Sequence, residues 1–185
     1  MAPDSRLRAP GLAVAPEPDA FIEGLDKFLG ISNSVARVAV LGIGNDLSGD
    51  DAVGVRIARE LKSRVGSRTD CLVLDTGTAP ENFTGPIRRF GPELVLLVDA
   101  ADLAAEPGTV AWLDWQQTDG LSGSTHTLPP SVLAQFLVGE LACRLALLVI
   151  QPAQLEFDCP LSPPVRGAAD RVVEGLAAVL EARPV

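Results

Sequence analysis

The sequence predicts a three-layer α/β sandwich built on a mostly parallel, five-stranded sheet. Two patterns carry this reading. Runs that are apolar at nearly every position, at 38–43 (VAVLGI), 71–74 (CLVL), 94–98 (LVLLV) and 145–150 (LALLVI), read as strands buried on both faces. Between most of them lie stretches whose apolar residues recur at helical spacing, and strands alternating with helices give parallel sheets with helices on both sides. Composition agrees: 185 residues, 47% hydrophobic and 21% charged, suit one globular domain with a sizeable core.

The elements follow in order. Residues 1–18 hold Pro3, Pro10, Pro16 and Pro18 and read as a mobile tail, and 20–29 (AFIEGLDKFL) places Phe21, Ile22, Leu25 and Leu29 on one face of a short amphipathic helix. Residues 1–35 are thus an N-terminal extension, partly flexible, and 36–185 form the domain proper. The first strand is closed by Gly44-Asn45, and a polar loop leads to Asp50, expected to cap the next helix, whose Val53, Ile57, Ala58, Leu61 and Val65 share one face. The second strand ends at Asp75-Thr76-Gly77-Thr78. A helix over 80–90 tolerates Pro80 at its start, where a missing N–H costs nothing. The third strand ends at Asp99, and a fourth, more amphipathic one covers 109–113. A Gly-, Ser- and Thr-rich loop at 120–127 precedes a helix over 130–141, then the fifth strand. A closing helix over 164–182 turns Val165, Ala169, Val172, Val173, Leu176 and Val179 inward.

Several functional classes are excluded. A net charge of −9 lacks the basic footprint that phosphate backbones require, so nucleic acid is not an expected partner. Cys71, Cys143 and Cys159 form no C-x-x-C pair, which rules out a disulfide scaffold or zinc ribbon and suits a reducing, cytoplasmic setting. Cys71 and Cys143 fall in apolar segments, and nothing near Cys159 would activate it. No apolar run is long enough to cross a bilayer, and no apolar segment of secretory type follows Arg6 and Arg8. Walker, H-E-x-x-H and G-x-S-x-G motifs are missing, and Gly42-x-Gly44 lacks the third glycine of a dinucleotide fingerprint.

Open α/β sheets place their sites at the carboxyl ends of strands. Three such ends carry acids here: Asp50 and Asp51, Asp75, and Asp99. The loop bearing His126, the chain's one histidine, can reach the same mouth. Carboxylates with an imidazole suit a divalent metal of the N/O type. Each residue also has an ordinary role. Asp50 serves as a cap, Asp51 favours the positive end of a helix, Asp75 and Asp99 can hold turns, Asp102 reads as a loop residue, and His126 can be structural.

Leu41-Gly42-Ile43-Gly44-Asn45 with Gly49-Asp50-Asp51-Ala52-Val53-Gly54 resembles the hydrogenase maturation endopeptidases, which trim the C-terminal tail of the large subunit of nickel–iron hydrogenases. The resemblance continues at Asp75-Thr76-Gly77-Thr78-Ala79-Pro80-Glu81-Asn82, Val98-Asp99-Ala100-Ala101-Asp102, Ser124-Thr125-His126-Thr127-Leu128-Pro129, Ile150-Gln151-Pro152 and Leu161-Ser162-x-Pro164-Val165, and is nearest the hydrogenase 3-type subgroup. It covers the chain from about Val38 onward. It implies an endopeptidase that acts on the large-subunit precursor after nickel insertion. Asp51, Asp99 and His126 would be both the catalytic and the metal-binding residues. Nickel would arrive with the precursor, and no permanently bound cofactor is implied. The first ligand is Glu in several members and Asp here, and Thr76 stands where Gly is common.

A divalent ion held by two carboxylates and an imidazole leaves positions for a water and a polarised carbonyl. A metal-bound hydroxide and Asp51 both stand as candidate general bases. Two other readings compete. Leu74-Asp75-Thr76-Gly77-Thr78 also matches the signature of pepsin-like aspartic proteases, which would need a homodimer to pair Asp75, in a nearly all-β fold. The same three ligands would also serve a nickel- or precursor-binding chaperone that does not cut.

Overall fold

The computed structural model describes residues 13–15, 37–113 and 130–183. The elements are β1 (Ala13–Ala15), β2 (Val38–Ile43), a 3-10 turn (Gly49–Ala52), α1 (Val53–Val65), β3 (Cys71–Gly77), a second 3-10 turn (Pro80–Phe83), α2 (Thr84–Phe90), β4 (Leu94–Ala100), β5 (Val110–Leu113), α3 (Pro130–Leu141), β6 (Arg144–Ile150) and α4 (Pro163–Glu181). The sheet order is β1-β5-β6-β4-β2-β3. β6, β4, β2 and β3 run parallel, while β5 is antiparallel to β6 and β1 to β5.

All five expected strands are present. A sixth, β1, lies within the stretch read as a mobile tail and pairs its three residues with 110–112 of β5. The expected helix at 20–29 lies outside the described residues. Two strands run further than their apolar runs suggested. β3 continues through Gly77 and β4 through Ala100, so Asp75 and Asp99 stand inside the ladder rather than beyond it.

Two cores flank the sheet because strand side chains alternate. Val38, Val40, Leu94, Leu96, Val98 and Leu148 meet the apolar faces of α1 and α4, where Ile57, Leu61, Val172 and Leu176 are fully buried. Ala39, Leu41, Val95, Leu97 and Leu147 face Ile87 of α2 and Leu133 and Leu137 of α3. Among the described residues no helix is long and apolar enough to cross a membrane.

The start of α1 presses directly on the sheet. A Cβ on Gly54 would sit 2.2 Å from the Val98 carbonyl oxygen and 2.3 Å from that of Ile43. Neither backbone can retreat, because both belong to the central ladder. Gly54→Ala is therefore expected to cost about 3 kcal/mol, the upper range for forcing atoms into a packed core. A urea midpoint lowered accordingly checks it, and a midpoint equal to that of the parent chain would contradict the contact.

Candidate active site

The carboxyl ends of β2 and β4 are neighbours, with Gly42 in register with Val98. Between them the chain makes a tight 3-10 turn, and glycines bring that turn close. Gly44, at φ 142°, leaves room for the Asp51 carbonyl, which would lie 1.8 Å from a Cβ there. A Cβ on Gly42 would meet the Gly54 carbonyl at 2.1 Å. Gly42-x-Gly44 therefore works as a spacer that lets a helix start lie on two strand ends, consistent with its lack of a nucleotide fingerprint.

Asp50 does not cap the helix as expected. It sits inside the 3-10 turn with 0% exposure, and its carboxylate serves the loop after β6. Oδ2 accepts from the Ala153 N–H at 2.8 Å, the Gln154 N–H at 3.0 Å and the Ser162 hydroxyl at 2.8 Å. Oδ1 accepts from the Ser162 N–H at 2.6 Å, and the Asp50 N–H donates to the Gln154 carbonyl at 3.0 Å. Several donors aimed at one carboxylate offset the cost of burying its charge. Gln151 does parallel work across the mouth. Its buried Oε1 accepts from the Leu103 N–H at 2.6 Å, holding the segment that follows Asp99. Reading the sequence alone left Asp50, Gln151 and Ser162 without these roles. The only signal was their presence in the separated G-D-D-A-V-G, I-Q-P and L-S-x-P-V motifs.

Asp51 and Asp99 are brought together in this frame. Asp51 is buried, and its Oδ2 accepts from the Asn45 N–H at 3.0 Å. Asp99 is also buried, and its Oδ1 accepts from the Ala100 N–H at 2.8 Å. Burial pushes the Asp99 carboxyl up to about 7, the Ala100 N–H pulls it down, and the nearby charge of Asp51 pushes it up again. A buried acid held near neutrality beside a second acid is a place where a proton or a cation is readily exchanged. Two such oxygens suit a hard or borderline divalent ion. The described residues contain no complete group of three ligating side chains. His126, the expected third member, lies outside the described residues.

Asp75 does not join this mouth, contrary to the convergence expected of all three strand ends. Alternation along β3 puts it on the side of Val73, towards α1, whereas Asp99 lies on the side of Val95 and Leu97. Its Oδ2 accepts from Arg59 Nε at 2.6 Å, and Arg59 also holds Asp46 through Nη1 at 3.1 Å and Nη2 at 2.6 Å. Thr76, buried, donates its hydroxyl to the Gly42 carbonyl at 2.8 Å where the β2–β3 register shifts. Asp102 accepts from the Ala104 N–H at 3.0 Å, the ordinary loop role expected of it. Burial pushes the Cys71 thiol up to about 11 and raises that of Cys143, so neither is a ready nucleophile.

The arrangement predicts the effect of removing the Asp75 charge. An exposed ion pair is worth at most about 1 kcal/mol. Asp75→Asn is expected to leave stability within that range and cleavage of the substrate intact. Complete loss of cleavage with an unchanged fold would restore Asp75 as the acting acid.

The family model for hydrogenase maturation proteases matches residues 55–179. The hydrogenase 3 maturation protease of Escherichia coli K12 is 30% identical over 138 residues, covering 74% of this chain and 86% of that protein. The crystal structure of a nickel–iron hydrogenase maturation protease from Thermococcus kodakarensis superposes with a TM-score of 0.78 at 33% identity, over 85% of this chain and 99% of that one. The solution structure of an endopeptidase from Escherichia coli gives 0.65 at 28% identity, over 77% and 90%.

Proposed function

Since the chain belongs to the hydrogenase maturation protease family, we propose that this peptidase removes the C-terminal extension of a nickel–iron hydrogenase large-subunit precursor once nickel has been inserted. The observation that supports the reading is the buried Asp51–Asp99 pair at the carboxyl ends of β2 and β4, with Asp99 held near neutrality. In this reading Asp51, Asp99 and His126 take hold of nickel that the precursor carries, and the protein keeps no metal of its own. Nickel so held supplies a positive charge against the scissile carbonyl. The chain's own residues do the rest. Asp51 is oriented by the Asn45 N–H and by the turn that Asp50 anchors. Asp99 can take or release a proton at neutral pH. His126 belongs to this set by its place in the sequence. It lies four residues before Pro130, and only two residues separate the end of α3 from the start of β6, which puts the first turn of α3 towards the carboxyl end of the sheet.

The test is incubation with nickel-loaded and nickel-free large-subunit precursor, followed by mass measurement. The expected result is loss of the C-terminal tail from the loaded precursor alone, and none with His126→Ala. Equal cleavage of both precursors would remove nickel from the reading. A stable complex with unchanged mass would mark a chaperone that holds without cutting.

A further inference from the structure

Two loops stand at the same end of the sheet as Asp51 and Asp99. One, at 44–48, follows β2, and the other, at 153–162, follows β6. They are joined by backbone hydrogen bonds, from the Asp158 N–H to the Leu47 carbonyl at 2.8 Å and from the Asp50 N–H to the Gln154 carbonyl at 3.0 Å. The Asp50 carboxylate binds the second loop from below through the Ala153 and Gln154 N–H groups. This is a braced surface. On it stand Leu47 at 53% exposure, Leu155 at 53% and Phe157 at 72%, three of the five large exposed apolar side chains among the described residues. Asp158, at φ 56°, holds the turn that carries Phe157. A left-handed aspartate is uncommon and slightly strained, so the turn keeps that geometry because its surroundings fix it. Leaving three such side chains in water forgoes burial that an apolar partner would supply. Acids alternate with them on the second loop, where Glu156 and Asp158 are exposed, whereas Asp46 on the first is already held by Arg59.

We propose that Leu47, Leu155 and Phe157 form the docking surface for the polypeptide substrate, receiving an apolar segment of the precursor flanked by basic side chains. The proposal rests on the protease reading and specifies how that site finds its substrate. Continuity selects the occupant. Leu47 lies four residues before Asp51, and the loop carrying Leu155 and Phe157 is bonded to Asp50. A chain seated on the patch therefore lies against the two loops that hold the Asp50–Asp51 turn in place. Charge sets its chemistry, because the acidic rim favours lysine or arginine beside the apolar contact. Exposed apolar clusters rimmed by polar groups mark such contacts, and large aromatic side chains dominate their energetics.

The experiment measures steady-state cleavage of nickel-loaded large-subunit precursor by the parent chain, by Leu155→Ser/Phe157→Ser and by Leu47→Ser. These side chains lie outside the core, and the thermal midpoint of each variant verifies that the fold is kept. The double variant is expected to raise KM about tenfold with kcat within about threefold of the parent, and Leu47→Ser to raise KM in the same direction. Glu156→Lys should raise KM too, and added salt should weaken the parent enzyme's binding of the precursor. An unchanged KM in the double variant overturns the proposal, including when that variant alters self-association, since the patch would then serve a second copy of this chain. No cleavage by the parent chain itself would instead fail the protease reading, so the two failures are distinguishable.

Discussion

Asp99→Asn is expected to abolish cleavage and, at alkaline pH, to make the fold more stable. The two effects share one cause. Asp99 is buried near Asp51, and its carboxyl is raised from 3.8 to about 7. The folded chain therefore holds a proton that the unfolded chain has already released between these values. The stability drawn from that proton is complete below pH 4 and is lost as the pH rises through about 7. Above it, the native state carries a poorly solvated charge beside a like charge. Asparagine keeps the shape, its Oδ1 can still accept the Ala100 N–H, and it is never charged. At about 1.4 kcal/mol per pKa unit, the variant should gain up to a few kcal/mol at pH 8 and almost nothing at pH 4. Cleavage should fall about a thousandfold or more, since a neutral amide neither draws a cation nor exchanges a proton. Thermal unfolding at the two pH values, with the precursor mass assay, checks both halves. A stability difference that is the same at both pH values would contradict the electrostatic account.

Asp50→Asn should be nearly as damaging to activity, through structure. An amide placed at either carboxylate position points N–H groups at donors: at Ser162 N–H on one side, or at Ala153 N–H, Gln154 N–H and the Ser162 hydroxyl on the other. Losing at least one charge-assisted bond and creating a donor–donor conflict in a fully buried place is expected to cost about 3 kcal/mol or more. The loop at 153–162 should loosen first, and the Asp51 turn with it. Hydrogen exchange would show lost protection at 153, 154 and 162, while the strand core stays protected. Unchanged exchange there would mean that the clamp is dispensable. This variant and Asp99→Asn should both lose cleavage yet move stability in opposite directions at pH 8, which separates a positioning role from a chemical one.

The layers of this protein were legible without coordinates because buried parallel strands need apolar residues on both faces, and that demand is written locally at 38–43, 94–98 and 145–150. The helices of α1 and α4 were legible for the same reason, through residues such as Ile57 and Val172 that recur on one side. The pairing of Asp51 with Asp99 was implied by the family resemblance, since the strand-end rule alone gathered Asp50 and Asp75 with them. Three things were not legible in the sequence. β1 is an Ala-Val-Ala segment too short to carry a pattern, and it is a strand only because the edge of β5 accepts it. Asp75 and Asp99 look alike as strand-end acids, yet they lie on opposite faces, because the face depends on each residue's parity within its strand. Asp50 found its partners 103, 104 and 112 residues further along the chain. Sequence by itself determined what each segment must bury. Which polar groups meet was decided only when the sheet order brought β2 and β6 to opposite sides of β4 and their loops together, since hydrogen bonds and charges act over a few ångströms of space and take no account of distance along the chain.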